Sequence, residues 1–214
     1  MKTLLGLLAA FLFSSTAIAA DLAPDVLVKN VTNEVLDAVR KDKDLQNGNS
    51  KKTLEIVETK ILPHFNFQRM TQLAMGREGR QATPEQLKVL VDEFRDLLVR
   101  TYSKALTEFR NQEITFKPLK FSPADTDVKV RTDIKQTGGK PMQLDYYLEK
   151  TAAGWKVYDV EVGGVSLITN YRSTFGQEIQ KNGVDGLIRS LQAKNCSSSS
   201  RWILPWRLPH PAAS

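Results

Sequence analysis

The chain has 214 residues and a formal net charge of +6, with 30 basic and 24 acidic residues scattered along it. This length predicts one domain, and the scattered charge lacks the basic stripe typical of nucleic-acid binders. The single cysteine, Cys196, excludes an intrachain disulfide. We therefore expect a protein that depends on its apolar core, has no nucleic acid among its partners, and carries a mild positive charge compatible with anionic lipid surfaces or simple solubility.

The first 19 residues have the pattern of a secretory signal peptide. Lys2 precedes an apolar run over residues 4–13, and Ala17-Ile18-Ala19 follows as an A-x-A cleavage site. The run is short for a membrane span, although an N-terminal membrane anchor is the alternative. We expect export, removal of residues 1–19 and a mature domain over residues 20–194.

The first half of the mature chain predicts four helices. They cover 23–40, then 50–62 with Ser50 as N-cap and Pro63 as terminator, then a short helix between Asn66 and Gly76, and a long helix from Thr83. Residues 41–49 read as a loop. Thr83-Pro84-Glu85-Gln86 is a capping box. The long helix then carries a wide apolar stripe, which must pack against a large partner: Leu87, Leu90, Val91, Phe94, Leu97, Leu98, Tyr102.

The second half predicts an antiparallel sheet of about four strands. An edge strand near 114–119 is interrupted by Pro118. Residues 128–135 and 142–149 alternate apolar and polar around a turn at 137–140, and 155–162 form an inner strand that ends at Gly163-Gly164. Together with the helices this is an α+β fold, a small twisted sheet packed by several helices.

After the glycine pair the period changes to that of a helix. Val165, Ile168, Tyr171 and Phe175 recur every three or four residues, which predicts a helix from Val165. Asn182-Gly183 ends it, and 185–194 form a last short helix. Residues 195–214 include four consecutive serines and no period, so we expect a disordered tail.

The sequence offers little chemistry. His64 is isolated, and we assign no catalytic or metal-binding residue. Asp145, Asp159 and Glu161 come close in the predicted sheet and form a conceivable acid–base pair, but our interpretation is that Asp145 and Glu161 face solvent. The apolar faces alone indicate an ordinary core, because periodicity does not reveal a cavity.

Several segments together resemble the MlaC/toluene-tolerance family of periplasmic phospholipid carriers. They are Leu62-Pro63-His64-Phe65-Asn66-Phe67-Gln68-Arg69-Met70, Gly76-Arg77, Ala82-Thr83-Pro84-Glu85-Gln86, Phe94-Arg95-Asp96-Leu97-Leu98-Val99-Arg100-Thr101-Tyr102, Tyr158-Asp159-Val160, Gly164-Val165-Ser166-Leu167 and Asn170-Tyr171-Arg172. The resemblance runs in order from residue 21 to 194. Two regions depart from it: Glu78-Gly79 replaces a bulky residue that often follows Gly-Arg, and the tail from Cys196 onward differs.

The resemblance implies a periplasmic, monomeric, non-enzymatic carrier that holds acyl chains in an apolar cavity. Its cargo would be phospholipid, with no other cofactor. Its partners would be an outer-membrane lipoprotein–porin complex and an inner-membrane ABC transporter with a lipid-capture subunit. Positions matching the family's pocket are Tyr102, Met142, Leu144, Tyr146 and Val165, and we assign the apolar faces beside them to lipid binding as well: Phe94, Leu98, Tyr158, Val160, Ile168, Tyr171. The alternatives are an exported hydrolase that uses the strand carboxylates and a partner-binding module with a solid core.

Overall fold

The computed structural model describes residues 22–108, 112–135 and 141–196, which form six α-helices and one antiparallel sheet. The helices are α1 (Pro24–Lys41), α2 (Lys43–Gln46), α3 (Ser50–Ile56), α4 (Phe67–Met75), α5 (Pro84–Glu108) and α6 (Leu167–Cys196). The strands are β1 (Ile114–Phe116), β2 (Asp127–Ile134), β3 (Met142–Thr151), β4 (Gly154–Val162) and β5 (Val165–Ser166). The predicted α+β class is confirmed. The predicted signal peptide, the predicted turn at 137–140 and the tail from 197 onward lie outside the described residues.

The sheet has five strands in the order β1-β2-β3-β4-β5, each antiparallel to its neighbour. Val130 lies opposite Tyr146, and Tyr146 lies opposite Val160, so alternate residues of the three long strands share one face. That face is apolar, and its opposite is polar. β1 is an edge strand and ends before Pro118, as the sequence predicts.

The prediction that Val165 begins a helix is wrong, because Val165 and Ser166 form β5. Gly163 and Gly164 have φ values of 57° and 86°, a conformation that glycine adopts without strain. The chain therefore reverses tightly, and Val165 pairs with Val162. The helix begins two residues later than predicted, and the fifth strand is this short return.

The predicted helix over 50–62 is also partly wrong. Its N-cap is Asn49 rather than Ser50, because the Asn49 Oδ1 atom accepts hydrogen bonds from two backbone N–H groups at 3.1 and 3.2 Å. Regular α-helix stops at Ile56, and a π-helix (Val57–Ile61) and a 3-10 helix (Leu62–His64) follow. The loop predicted at 41–49 contains α2, which Asp42 caps.

The other predicted helix boundaries agree with the structure. The side chain of Asn66 caps α4, and Gly76 ends it with a φ of 61°. The capping box before α5 is complete, since the Thr83 N–H donates to Gln86 Oε1 (3.0 Å) and the Gln86 N–H donates to Thr83 Oγ1 (3.2 Å). α6 is interrupted at Gly183, where φ is 71°, at the predicted boundary. Its second part reaches Cys196, two residues beyond the predicted end of the domain.

The buried apolar side chains form two main clusters. The helical cluster joins α4, α5 and both parts of α6, with Phe94, Phe175 and Met70 among its most buried members. The sheet cluster joins the apolar sheet face with α1 and the start of α6. Phe65 and Tyr102 contact both clusters, so they lie where the helical layer meets the sheet.

A polar network attaches α4 to the sheet. The Arg69 guanidinium donates to Glu149 and, at 3.0 Å, to Asp127, and it lies 3.8 Å above the ring centroid of Tyr158. Asn66 Nδ2 donates to the other Glu149 oxygen at 2.7 Å, and the Tyr158 hydroxyl donates to Asp127 at 2.6 Å. Because each partner makes several of these bonds, the network fixes the position of α4 relative to β2, β3 and β4.

Candidate functional site

The candidate site lies on the apolar face of the sheet. Leu144, Tyr146 and Val162 point from this face and are only partly buried, although they belong to the sheet cluster. Val28 of α1 packs into the same cluster, and Leu27 lies beside it. Tyr102 of α5 also contacts the cluster. The site is thus bounded by the sheet, by α1 and by α5.

Tyr146 marks the interior of this site. Burial raises its pKa to about 12, and Thr32 of α1 lies near its hydroxyl. The residue nevertheless keeps some accessible surface, whereas its neighbours Val130 and Leu148 are fully buried. A side chain that is deep in the fold but incompletely covered by protein atoms lies beside unfilled space, since interiors are otherwise close-packed.

Tyr102 and Tyr171 provide a second hydroxyl pair where the helices meet the sheet. Burial raises the pKa of both phenols, and the two side chains lie close enough for each to affect the pKa of the other. The Tyr171 ring packs edge-on against Phe94 with centroids 5.0 Å apart. Tyr171 is therefore anchored in the helical cluster, while Tyr102 extends to the sheet cluster.

The structure brings some of the predicted lipid-binding residues together and separates others. Leu144, Tyr146 and Val160 share the apolar sheet face, with Met142 at the start of the same strand and Tyr102 adjacent. Four more lie in the helical cluster: Phe94, Leu98, Ile168, Tyr171. Val165 is 45% exposed at the turn between β4 and β5.

Tyr158 lies away from the apolar sheet face. β3 and β4 shift register between Tyr147 and Leu148, and Tyr158 is the extra residue of this bulge. Its ring is 6.2 Å from that of Tyr147 and lies under Arg69. The bulge redirects Tyr158 into the network that holds α4, a change that alternation along the strand does not signal.

Other residues border the site without having been predicted there. Leu27, Thr32 and Phe65 contribute from α1 and from the α3–α4 connection, and Phe116, Leu119 and Val162 extend the wall. The β1 residues could have been found, because their alternation already predicts one inward face. Phe65 lies in an irregular connection that carries no period, and only its bridge to Val157 places it.

The prediction that Asp145 faces solvent is wrong. Asp145 is fully buried on the polar sheet face, where Lys129 Nζ lies 2.8 Å from its Oδ2 atom and Gln143 donates to the same oxygen at 2.9 Å. Long side chains on β2 and β3 cover it. Glu161 is partly exposed and accepts a 2.6 Å hydrogen bond from Tyr147, which lowers its pKa.

Asp159 also has a structural role. Its carboxylate accepts from the N–H of Val160 at 2.8 Å, from the N–H of Ile168 at 3.2 Å and from the Ser166 hydroxyl at 2.5 Å. It thereby closes the turn and caps α6, and burial raises its pKa. Because the carboxylates alternate along the strands with the apolar residues of the site, Asp145 and Glu161 point to the opposite face of the sheet.

Within residues 22–108, 112–135 and 141–196, no group of three or more His, Cys, Asp or Glu side chains is arranged to hold a metal ion. Over the same ranges, none of the helices has the length and apolar character that crossing a bilayer requires. What the described residues offer is therefore a partly buried apolar surface edged by tyrosine side chains, with the charged groups of the sheet on its other face.

Comparison with known proteins gives one consistent family. The family model "MlaC protein" matches residues 29–193. The chain is 31% identical over 187 residues to toluene tolerance protein ttg2D of Pseudomonas putida, covering 86% of this chain and 84% of that protein. It is 28% identical over 190 residues to the intermembrane phospholipid transport system binding protein MlaC of Haemophilus influenzae, covering 86% and 87%.

A solved structure resembles this fold closely. It is the phospholipid-binding protein from Ralstonia solanacearum in complex with a phospholipid, with a TM-score of 0.73 and 42% sequence identity. The match covers 80% of this chain and 96% of that one. The similarity therefore extends over nearly the whole of that protein.

Proposed function

Because this chain belongs to the MlaC family, we propose that it is a phospholipid carrier that holds acyl chains between α1, α5 and the apolar sheet face. The observation that carries the proposal is Tyr146, whose deep position and incomplete burial indicate space for a ligand. Leu144, Val162 and Tyr102 extend the same apolar wall. The solved relative in complex with a phospholipid supports this ligand class.

The energetics of lipid transfer require such a site. Each CH₂ group that leaves water gains about 0.8 kcal/mol, so an acyl chain of about 16 carbons exposes on the order of 10 kcal/mol of hydrophobic free energy. A lipid crosses an aqueous compartment at a useful rate only if protein covers its chains. An apolar wall with few polar groups meets this need, and no nucleophile is required.

We assign the carrier to the periplasm, as a monomer and a non-enzyme. The signal-peptide pattern of residues 1–19 supports export. Asp145, Asp159 and Glu161 are engaged in hydrogen bonds and ion pairs within the fold, which supports a non-catalytic function. The name of the Haemophilus influenzae relative supports a place in an intermembrane phospholipid transport system. Its partners in this proposal are an outer-membrane lipoprotein–porin complex and an inner-membrane ABC transporter with a lipid-capture subunit.

A transfer assay tests the carrier proposal. Donor vesicles contain a fluorescent phospholipid with a quencher, acceptor vesicles contain neither, and substoichiometric protein is added. A carrier raises the transfer rate in proportion to protein concentration without mixing vesicle contents. Failure of the folded protein to accelerate transfer, together with failure to acquire lipid from the donors, would overturn the proposal. Each partner assignment is tested separately, by binding to the purified complex.

A further inference from the structure

The apolar face of β3 changes from partly buried to fully buried along its length. Three successive residues of this face keep accessible surface: Met142, Leu144, Tyr146. Leu148, the next residue on the face, is 0% exposed. β4 shows the same gradient, because Val162 is partly buried whereas Val157, which lies opposite Leu148, is 4% exposed. The three β3 residues and Val162 therefore form a strip, here named the open strip, that ends at Leu148.

The connection that precedes α4 closes the open strip at Leu148. Phe65 forms a β-bridge with Val157, and the Asn66 N–H donates to the Val157 carbonyl at 2.8 Å. The Phe65 side chain packs against the sheet cluster at this level. The register of β3 and β4 also shifts between Tyr147 and Leu148, and such a bulge bends the strands. Because hydrogen-bonded backbone holds this end, a longer ligand displaces it only by breaking those bonds.

The length of the open strip matches that of one acyl chain. Leu148 lies six positions after Met142 in β3, which at a rise of about 3.3 Å per residue is a distance of about 20 Å. The hydrocarbon core of a bilayer is about 30 Å thick, so the chains of one leaflet reach about 15 Å. A chain of ordinary membrane length therefore fits between the two residues, whereas a much longer one meets the closed end.

We propose that Leu148 sets the longest acyl chain that the protein covers completely. This inference rests on the proposed function and adds a chain-length limit to it. A lipid that moves from a vesicle to the protein exchanges one apolar environment for another, so a chain that fits gains nothing from being longer. Each CH₂ group that the open strip cannot cover is left in water, which weakens retention about fourfold. Retention should thus be constant up to a limiting length and fall steeply above it.

A competition among chain lengths tests this limit. Lipid-free protein is equilibrated with fluid vesicles that contain equal amounts of diacyl phosphatidylcholines with about 12 to about 20 carbons per chain, and the bound lipid is extracted and identified by mass. The wild type should take up the shorter lipids equally and show one step, above which uptake falls about fourfold per CH₂ group. Leu148→Ala leaves a cavity at the closed end, so the step should move to chains about two CH₂ groups longer. Leu148→Val perturbs the core less and should move the step by about one.

Leu187→Ala is the matched control. Leu187 is 2% exposed but belongs to the helical cluster, so its truncation opens a comparable cavity away from the open strip and should leave the step unchanged. Circular dichroism confirms folding of each variant. Uptake without a step in the wild type, a step that neither Leu148 variant moves, or an equal shift in Leu187→Ala would overturn the length limit and leave the carrier proposal intact. Failure to take up phosphatidylcholine of any length would refute the proposed function and this inference with it.

Discussion

The substitution Leu144→Glu should make lipid retention depend on pH. Leu144 lies on the apolar sheet face beside Tyr146 and Val162, and it is only partly buried, so the empty site can hydrate a glutamate there. When an acyl chain displaces that water, an unpaired charge becomes very unfavourable. The less costly outcome is protonation, so the pKa of the new carboxyl rises when lipid binds.

The size of the effect follows from the free energy of protonation. A glutamate has an ordinary pKa of about 4.3, and each unit corresponds to about 1.36 kcal/mol. Protonation therefore costs about 3.7 kcal/mol at pH 7, a loss of about 500-fold in retention, but only about 1 kcal/mol at pH 5, a loss of about fivefold. Lipid should be retained at low pH and lost as pH rises above the pKa that the new glutamate has in the empty site.

Leu144→Gln supplies the reference, because it removes the same apolar group without adding a charge. Thr115→Glu is the second control, since Thr115 is exposed on β1 of the same sheet. Bound lipid is measured by extraction after equilibration with vesicles at pH 5 and pH 7, and circular dichroism confirms folding. Leu144→Glu should approach Leu144→Gln at pH 5 and lose lipid at pH 7. Equal loss at both pH values, or full retention at pH 7, would refute the placement of acyl chains on this face.

Three further predictions concern the framework of the site. Arg69→Met should lower the free energy of unfolding in urea by about 2–3 kcal/mol, because two carboxylates lose charge-assisted hydrogen bonds in a partly buried network. The control Lys135→Met breaks an exposed ion pair and should change the free energy of unfolding by less than about 0.5 kcal/mol. Equal effects of the two substitutions would contradict the role of the network. The raised pKa of Asp159 means that its protonation favours folding and that this contribution is lost as pH rises through the raised value. The free energy of unfolding of the wild type, taken relative to that of Asp159→Asn, should therefore fall as pH rises above the ordinary pKa of an aspartate. A difference that does not change with pH would show that burial does not raise this pKa. Thr83→Ala should cost about 1 kcal/mol through loss of the cap on α5, while Thr174→Ala, at an exposed position within α6, should not destabilise; comparable losses would argue against the cap.

Local sequence signals predicted most of the fold. The capping box at Thr83, the cap at Asn66 and the interruption at Gly183 are all set by residues next to each other in the chain. Alternation along β2 and β3 gave the apolar face correctly because one face of the sheet is packed against α1 and the other is not.

The failures arise where contacts distant in sequence decide the structure. Val165 has a helical period with the residues after it, yet pairing with Val162 across the glycine turn keeps it in a strand. Asp145 alternates like a solvent-facing residue, but Lys129 and Gln143 from the neighbouring positions of the sheet cover it. The bulge that redirects Tyr158 depends on the register of two strands.

The proposed lipid site was not visible in the composition, because a cavity and a solid core use the same residues. Tyr146 could be recognised as apolar and inward-facing, whereas its incomplete burial and the proximity of Thr32 required the structure. The family resemblance directed attention to the sheet face on which we propose the site. The contribution of α1 had no comparable signal, since its apolar stripe is equally typical of an ordinary core helix.

Native mass spectrometry of protein purified without detergent, followed by solvent extraction, tests the central claim most directly. The account predicts a mass above that of the polypeptide, which extracts as diacyl phospholipid and reappears after emptied protein is incubated with liposomes. A bare polypeptide mass both before and after liposome incubation, from a folded sample, would contradict phospholipid carriage and favour a solid-core module.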